Sequence, residues 1–320
     1  MIISFVSIYQ WHLYSPGSTI PSAFDPVLHK LNTKTNWNAV AATYHENWAS
    51  TDTGPFKSTK KLVESAQINP NDIVLDLACG TGAVSNEIVK AMSKTMGVNK
   101  CVGDVGVKGL IIGVDISRTA LSIAKSPTQP KFVRLMLIEM DAENLGFRKS
   151  FFSKILCQFG LMFFPKPLSV LKELKWILMK GGTLAIAVHG SQKGVPYFSC
   201  IMDCILRHIP NIRPNNSPSV HTFGNPDDLS SILKSAGLSG ISIKKYTFCY
   251  QAGTFEDYWS DYMSSTANSI RPLIESKGDG TISSIKKESK ETADRYADNM
   301  GIITFPWDVF IATAYNDTDN

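Results

Sequence analysis

The chain has 320 residues, 43% hydrophobic and 19% charged, with a net charge of +4. That is the balance of a globular protein, and the charge is too mild to argue for a nucleic-acid partner. Six cysteines, at 79, 101, 157, 200, 204 and 249, form no CxxC pair, so reduced core thiols in a cytoplasmic protein are expected. The apolar start, MIISFVSIYQWHLY, has no Lys or Arg ahead of its hydrophobic run and is shorter than a bilayer span. No later run reaches membrane length either, and no transmembrane segment is expected.

Residues 1–34 read as a flexible N-terminal tail, its second half rich in Pro, Ser and Thr. Residues 35–320 read as one domain with additional helical elements near 35–66, 191–236 and 255–299. In chain order, 37–48 and 60–66 have the spacing of short helices. An apolar strand follows at 73–77. The helix over 83–96 carries Val84, Ile88, Val89 and Met92 on one stripe. A glycine-rich stretch, KTMGVNKCVGDVGVKG, is longer than an ordinary connection and reads as a surface insertion. Strands at 110–114, 132–140, 154–158 and 183–188 alternate with helices at 117–125 and 167–179, the latter closed by Gly181-Gly182. Helices at 196–209 and after Asn225, a strand at 241–250, two helical stretches near 255–275 and 281–299 and a last strand at 307–315 complete the chain. Strand–helix alternation with short connections predicts an α/β Rossmann-like three-layer sandwich. Its seven-stranded sheet is mostly parallel with a final antiparallel strand, and the extra helices cap the active face.

The chemistry gathers at the strand tips. In VLDLACGTG, residues 74–82, Gly80 and Gly82 flank Thr81 between a strand and a helix. Missing side chains let the backbone approach a ligand, and the helix start offers free N–H groups. A tight structural turn is the plain alternative. Asp76 lies in an apolar strand, where an unpaired carboxylate is costly. Asp115 ends the second strand, where an acid can accept from ribose hydroxyls, or cap the helix after it. Asp141, followed by Ala142, ends the third strand, where it can accept from an adenine amino group or cap the AENLGF turn. A dinucleotide fingerprint wants a third glycine where this chain has Ser85, and no Arg or Lys lies in the turn to meet a diphosphate. The turn suits a cationic ligand better than an anionic one.

VLDLACGTG, GVDIS, MDAENLGF and LMKGGTLAI, in this order, resemble the motifs of class I S-adenosylmethionine-dependent methyltransferases. The similarity is greatest to the small-molecule branch around the ubiquinone and menaquinone biosynthesis C-methyltransferases. The resemblance implies S-adenosyl-L-methionine as cofactor and a methyltransferase domain over 35–320. It implies that Asp76, Gly80 and Gly82 surround the methionine portion, that Ala78 and Thr81 of the same turn also bind the cofactor, that Asp115 holds the ribose, and that Ile116 packs on adenine. Asp141 and Ala142 would read the adenine edge, and Cys157 and Gln158 would line the methionine and substrate side. Lys180 stands where the family's turn has proline, a change in a loop.

Methyl transfer asks the protein mainly to align an acceptor and exclude water. Catalytic candidates are His189, His45 and Tyr44, with Trp48 beside them as a lid or as plain packing; none is singled out as a base. Phe159, Leu161, Met162, Phe163, Phe164 and residues 197–202 read either as ordinary core or as a greasy pocket. They favour a small lipophilic or aromatic methyl acceptor. Cys200, Cys204 and His208 recur every fourth residue, but positions eight apart on a helix are separated by about 12 Å, too far to share a metal; a core stripe is expected. The competing functions are an NAD-type oxidoreductase and a non-catalytic S-adenosylmethionine-binding protein. Oligomeric state is not legible.

Overall fold

Ile73-Val-Leu-Asp-Leu77 is apolar but for one acid, the pattern of a strand covered on both faces. In the computed structural model, which describes residues 23–49, 54–95, 108–125 and 132–318, it forms β1, with Val74, Leu75 and Leu77 fully buried. Six more strands join it: β2 (Gly109–Asp115), β3 (Val133–Glu139), β4 (Phe152–Gln158), β5 (Leu178–His189), β6 (Ser239–Gly253) and β7 (Ile303–Tyr315). The sheet order is β3-β2-β1-β4-β5-β7-β6. The pairs among β1 to β5 are parallel, and β7 runs antiparallel to β5. The order reverses between β1 and β4. That is the topological switch point, where a crevice opens beyond the carboxyl ends of the strands. The expected doubly wound sheet with an antiparallel end is therefore present.

The helices are α1 (Pro26–Trp48), α2 (Ser58–Ala66), α3 (Ala83–Thr95), α4 (Arg118–Ala124), α5 (Pro167–Ile177), α6 (Pro196–His208), α7 (Pro226–Ser235), α8 (Phe255–Asp261), α9 (Arg271–Glu275) and α10 (Asp279–Ala293). On α3, Val84, Ile88 and Met92 are buried as the stripe predicts, while Val89 is half-buried. Several boundaries differ from expectation, among them β5, which starts at Leu178 rather than 183, β7, which starts at Ile303 rather than 307, α10, which ends at Ala293 rather than 299, and the ends of two further helices. Helix α1 starts at Pro26, inside the expected tail; residues 1–22 of that tail lie outside the described residues. Asp25 accepts from the N–H groups of Val27 (2.8 Å) and Leu28 (3.2 Å), with proline at the first helical position, a strong start signal. Helix α5 ends at Ile177 rather than at the glycine pair. The Asn316 amide donates to the Leu178 carbonyl at 2.8 Å and the Lys175 carbonyl at 3.3 Å, so helix-end acceptors are met without a glycine cap. The expected insertion lies largely at 96–107, outside the described residues.

The chain divides into two compact units. One comprises the described parts of Met1–Asn32, with Pro196–Ser217 and Gln251–Phe305. Its core is aromatic: Tyr197, Tyr258, Tyr262 and Phe305 are fully buried, and the Tyr197 hydroxyl donates to Asp261 at 2.6 Å. Cys200 and Cys204 are buried in α6, while His208 pairs with Glu288 at 2.7 Å. The core-stripe reading therefore holds for the two cysteines but not for His208, which is exposed because its ring is held by the surface carboxylate of Glu288; no His/Cys/Asp/Glu group among the described residues is suited to a metal. The other unit, Thr33–Val195, Pro218–Tyr250 and the described part of Pro306–Asn320, carries the strand tips. No helix among the described residues is long and apolar enough to cross a membrane.

Candidate active site

The turn after β1 holds three left-handed residues, Ala78 (φ 54°), Gly80 (φ 53°) and Gly82 (φ 88°). The two glycines serve different ends. A Cβ on Gly82 would lie 3.1 Å from the Ala124 Cβ, so its bareness lets α4 pack closely. A Cβ on Gly80 would meet nothing within 4 Å, so its bareness opens space in front of the turn. The Gly80 N–H donates to Asp115 Oδ2 at 2.8 Å, binding the turn to the tip of β2. Thr81, between them, is buried.

Asp76 is 1% exposed. Its Oδ2 accepts from the Ser85 hydroxyl at 2.6 Å, whereas Oδ1 has no hydrogen-bond partner among the described residues. Burial raises its pKa to about 7, against the pull of Ser85, and the nearby Asp115 carboxylate adds to the rise. The residue that replaces a third glycine thus engages the buried acid. Asp115 accepts from the Ser117 N–H through Oδ1 at 2.8 Å, and burial holds its pKa above the ordinary value. Both roles read for it, strand-tip acceptor and turn cap, are geometrically compatible. Ile116, next in chain, is half-buried. Asp141 caps its own turn, accepting from the Glu143 N–H at 2.9 Å and the Asn144 amide at 3.2 Å. Asp141 and Ala142 sit just past β3, one strand further out than Asp115.

At β4 the side chains are committed inward. Cys157 is 1% exposed, with burial pushing its thiol up to about 12. Gln158 accepts from Thr59 Oγ1 at 2.9 Å and donates to Ser58 Oγ at 3.1 Å, bonding β4 to the start of α2. Phe159, read from the sequence as core or pocket lining, is buried; beyond that reading, it adopts φ 56° and stacks on His189 with centroids 4.1 Å apart. Gly160 follows because a Cβ there would come within 2.7 Å of the Ala78 Cβ and 2.9 Å of Cys157 Sγ. The left-handed turn itself was not read from the sequence; Gly160, straight after a strand tip, is the signal for it.

His189 is buried, and its Nδ1 accepts from Trp307 Nε1 at 3.1 Å. Burial drives its pKa down to about 3. The ring is therefore neutral, with its proton on Nε2. His45 is exposed. Tyr44 lies edge-on to Trp37 (5.1 Å) and Phe56 (5.8 Å); burial, then the Asp115 charge, raise its phenol well above the ordinary range. Trp48 is buried and stacked on Tyr250 at 4.8 Å, the plain packing role. From Thr33 onward α1 crosses the strand tips. Lys34 pairs with Glu139 at the end of β3 (2.6 Å), Trp37 meets Phe163 after β4 (6.3 Å), and Asn38 accepts from Ser117 and Thr119 at the start of α4. No pattern in the sequence marks Asn38.

A Rossmann-like sheet with acids at its strand tips and an open glycine turn at its switch point is an architecture of enzymes that bind small cofactors. Residues 68–236, more than half of the chain, match the family described as methyltransferase domain, and the chain belongs to that family. It is an S-adenosylmethionine-dependent methyltransferase. The demethylmenaquinone methyltransferase of Staphylococcus carnosus is 24% identical over 237 residues, 69% of this chain and 88% of that protein. A solved structure of the YcgJ protein from Bacillus subtilis has a TM-score of 0.52 at 14% identity, covering 82% of this chain and 99% of that one. The [4+2]-cyclase SpnF has a TM-score of 0.53 at 13% identity, covering 94% and 100%. At such identities the structural likeness shows the fold alone.

Proposed function

We propose that this chain moves the methyl group of S-adenosyl-L-methionine to a small lipophilic or aromatic acceptor, with a hydroxylated ring of the quinol type as the favoured chemistry. The observation that carries the reading is the open space at Gly80 between two acids, the buried Asp76 and the half-buried Asp115. Two carboxylates in one desolvated crevice raise each other's cost of ionisation. A ligand bearing a sulfonium and an ammonium relieves that cost, and the orphaned Asp76 Oδ1 has a cation to face. A diphosphate would add to the repulsion, which disfavours an NAD-type cofactor.

In this reading Asp115 accepts from the ribose hydroxyls with the lone pairs that Gly80 and Ser117 leave, and Ile116 covers one face of adenine. Asp141 and Ala142 meet the adenine edge. Asp76, Ala78, Gly80, Thr81 and Gly82 surround the methionine portion. Cys157 and Gln158 contribute backbone to that side, because their side chains point into the fold. S-adenosylmethionine supplies an electrophilic methyl group on a sulfonium sulfur. The chain's own residues hold the acceptor in line and exclude water. Phe159, Phe56, Phe163 and Trp37 provide apolar ring faces suited to a flat acceptor and to a nearby cation. His189, neutral with its proton on Nε2, acts as a hydrogen-bond donor rather than a base. An acceptor with an acidic hydroxyl of its own needs less help from a protein base. The demethylmenaquinone methyltransferase relative supports such an acceptor.

The test supplies methyl-labelled S-adenosylmethionine with reduced 1,4-naphthoquinone, a polar amine control and a metabolite extract. Label is expected in the quinol or in an apolar product. Tight donor binding without label transfer to anything would favour a non-catalytic binding protein instead.

A further inference from the structure

Helix α1 reaches the acid at the tip of β2 through one side chain. Asn38 Oδ1 accepts from Ser117 Oγ at 2.8 Å and from the Thr119 N–H at 3.2 Å. Ser117 is fully buried, and its hydroxyl also caps α4 by accepting from the Ala120 N–H at 3.1 Å. Its own N–H donates to Asp115 Oδ1 at 2.8 Å, and the other Asp115 oxygen accepts from Gly80. An unbroken hydrogen-bonded path therefore runs from Asn38 through Ser117 and Asp115 to the glycine turn.

The path has a direction of dependence. Ser117 needs an acceptor for a hydroxyl proton that water does not reach, and Asn38 provides it. Without the amide oxygen, the Ser117 hydroxyl and the Thr119 N–H lose a shared partner. The corner that aims Asp115 is then less constrained. The ion pair of Lys34 with Glu139 and the contact of Trp37 with Phe163 hold the same stretch of helix over the same strand tips.

The structure assigns Asn38 as a positioning residue for Asp115: acting through Ser117, it fixes the carboxylate in the orientation that receives ribose hydroxyls, so α1 is part of the cofactor site. This rests on the ribose reading of Asp115 given above. It predicts that Asn38 is felt only by ligands that carry those hydroxyls.

The experiment is calorimetric titration with S-adenosylhomocysteine and with its 2′-deoxyribose analogue, on the wild type, Asn38→Ala, Asn38→Asp and Asp115→Ala. Wild type should prefer the ribose ligand, and Asp115→Ala should lose the preference. Asn38→Ala should weaken the ribose ligand by about tenfold, the scale of one or two hydrogen bonds, and the deoxy ligand by less than about twofold. Asn38→Asp keeps an oxygen acceptor for both donors and should retain the preference. Melting curves of each variant register any general loss of stability. Equal weakening of both ligands in Asn38→Ala, or an unchanged preference there while Asp115→Ala loses it, would overturn the inference. If Asp115→Ala keeps the preference, the ribose reading itself fails and the role of Asn38 fails with it.

Discussion

Asp76 is a carboxyl group at a position where burial alone would select an apolar side chain, and Asp115 is half-buried beside it at the next strand tip. Asp115 should contribute more than one charge-assisted hydrogen bond to a ribose, so Asp115→Ala should weaken S-adenosylmethionine by about 10- to 100-fold in a calorimetric titration. Unchanged affinity would remove its assigned role. Asp76 makes a separate prediction about pH. Its folded pKa of about 7 lies above the ordinary 3.8. The folded chain therefore holds a proton that the unfolded chain releases. This group's stabilisation is whole below about pH 4 and is lost as pH rises through about 7. The melting temperature of the wild type should fall relative to that of Asp76→Asn across this window, and parallel curves would contradict it. Both acids were legible because a charged residue at the end of an apolar run has few plain explanations. Asn38 was not legible: a helical asparagine looks like any polar residue until Ser117 and Thr119, some eighty positions away, are seen to donate to it.

Among the elements, the turn after β1 and the turn after β4 hold each other in shape. Phe159 takes a left-handed conformation unusual for a large side chain, and it persists because Phe56 and His189 enclose the ring. Beside it, Gly160→Ala would drive a methyl group toward Ala78 and Cys157. The substitution should cost about 1–3 kcal/mol of stability by overpacking and should also weaken cofactor binding, since Ala78 belongs to the glycine turn. A denaturant titration paired with calorimetry checks both, and full retention of binding would separate the two turns. The alternation of strands and helices was plain in the sequence because hydrophobic period and turn residues agree through the parallel half of the sheet. The ends of α1 and α5 were less plain. At α1 the Asp25-Pro26 start signal sits inside a stretch whose Pro, Ser and Thr content reads as a tail. At α5 the glycine pair suggested a cap that a distant side chain, Asn316, in fact provides.

For the whole molecule, the fold narrows the chemistry without naming the acceptor. A [4+2]-cyclase is among the chains that share this architecture, so the sheet alone does not set a reaction; the acids and the open glycine turn carry that weight. The acceptor's identity was the least legible property, because it depends on irregular surfaces such as the Phe159, Phe163 and Trp37 rings, brought together from distant parts of the chain. The cofactor is different, since the site proposed for it lies on consecutive strand tips. The most direct test is equilibrium titration of the full chain with S-adenosylmethionine and, separately, with NADH. Saturable binding of S-adenosylmethionine at a single site, abolished or greatly weakened in Asp115→Ala, with no saturable binding of NADH, is the predicted result. Saturable NADH binding with none for S-adenosylmethionine would contradict a crevice built for a cation.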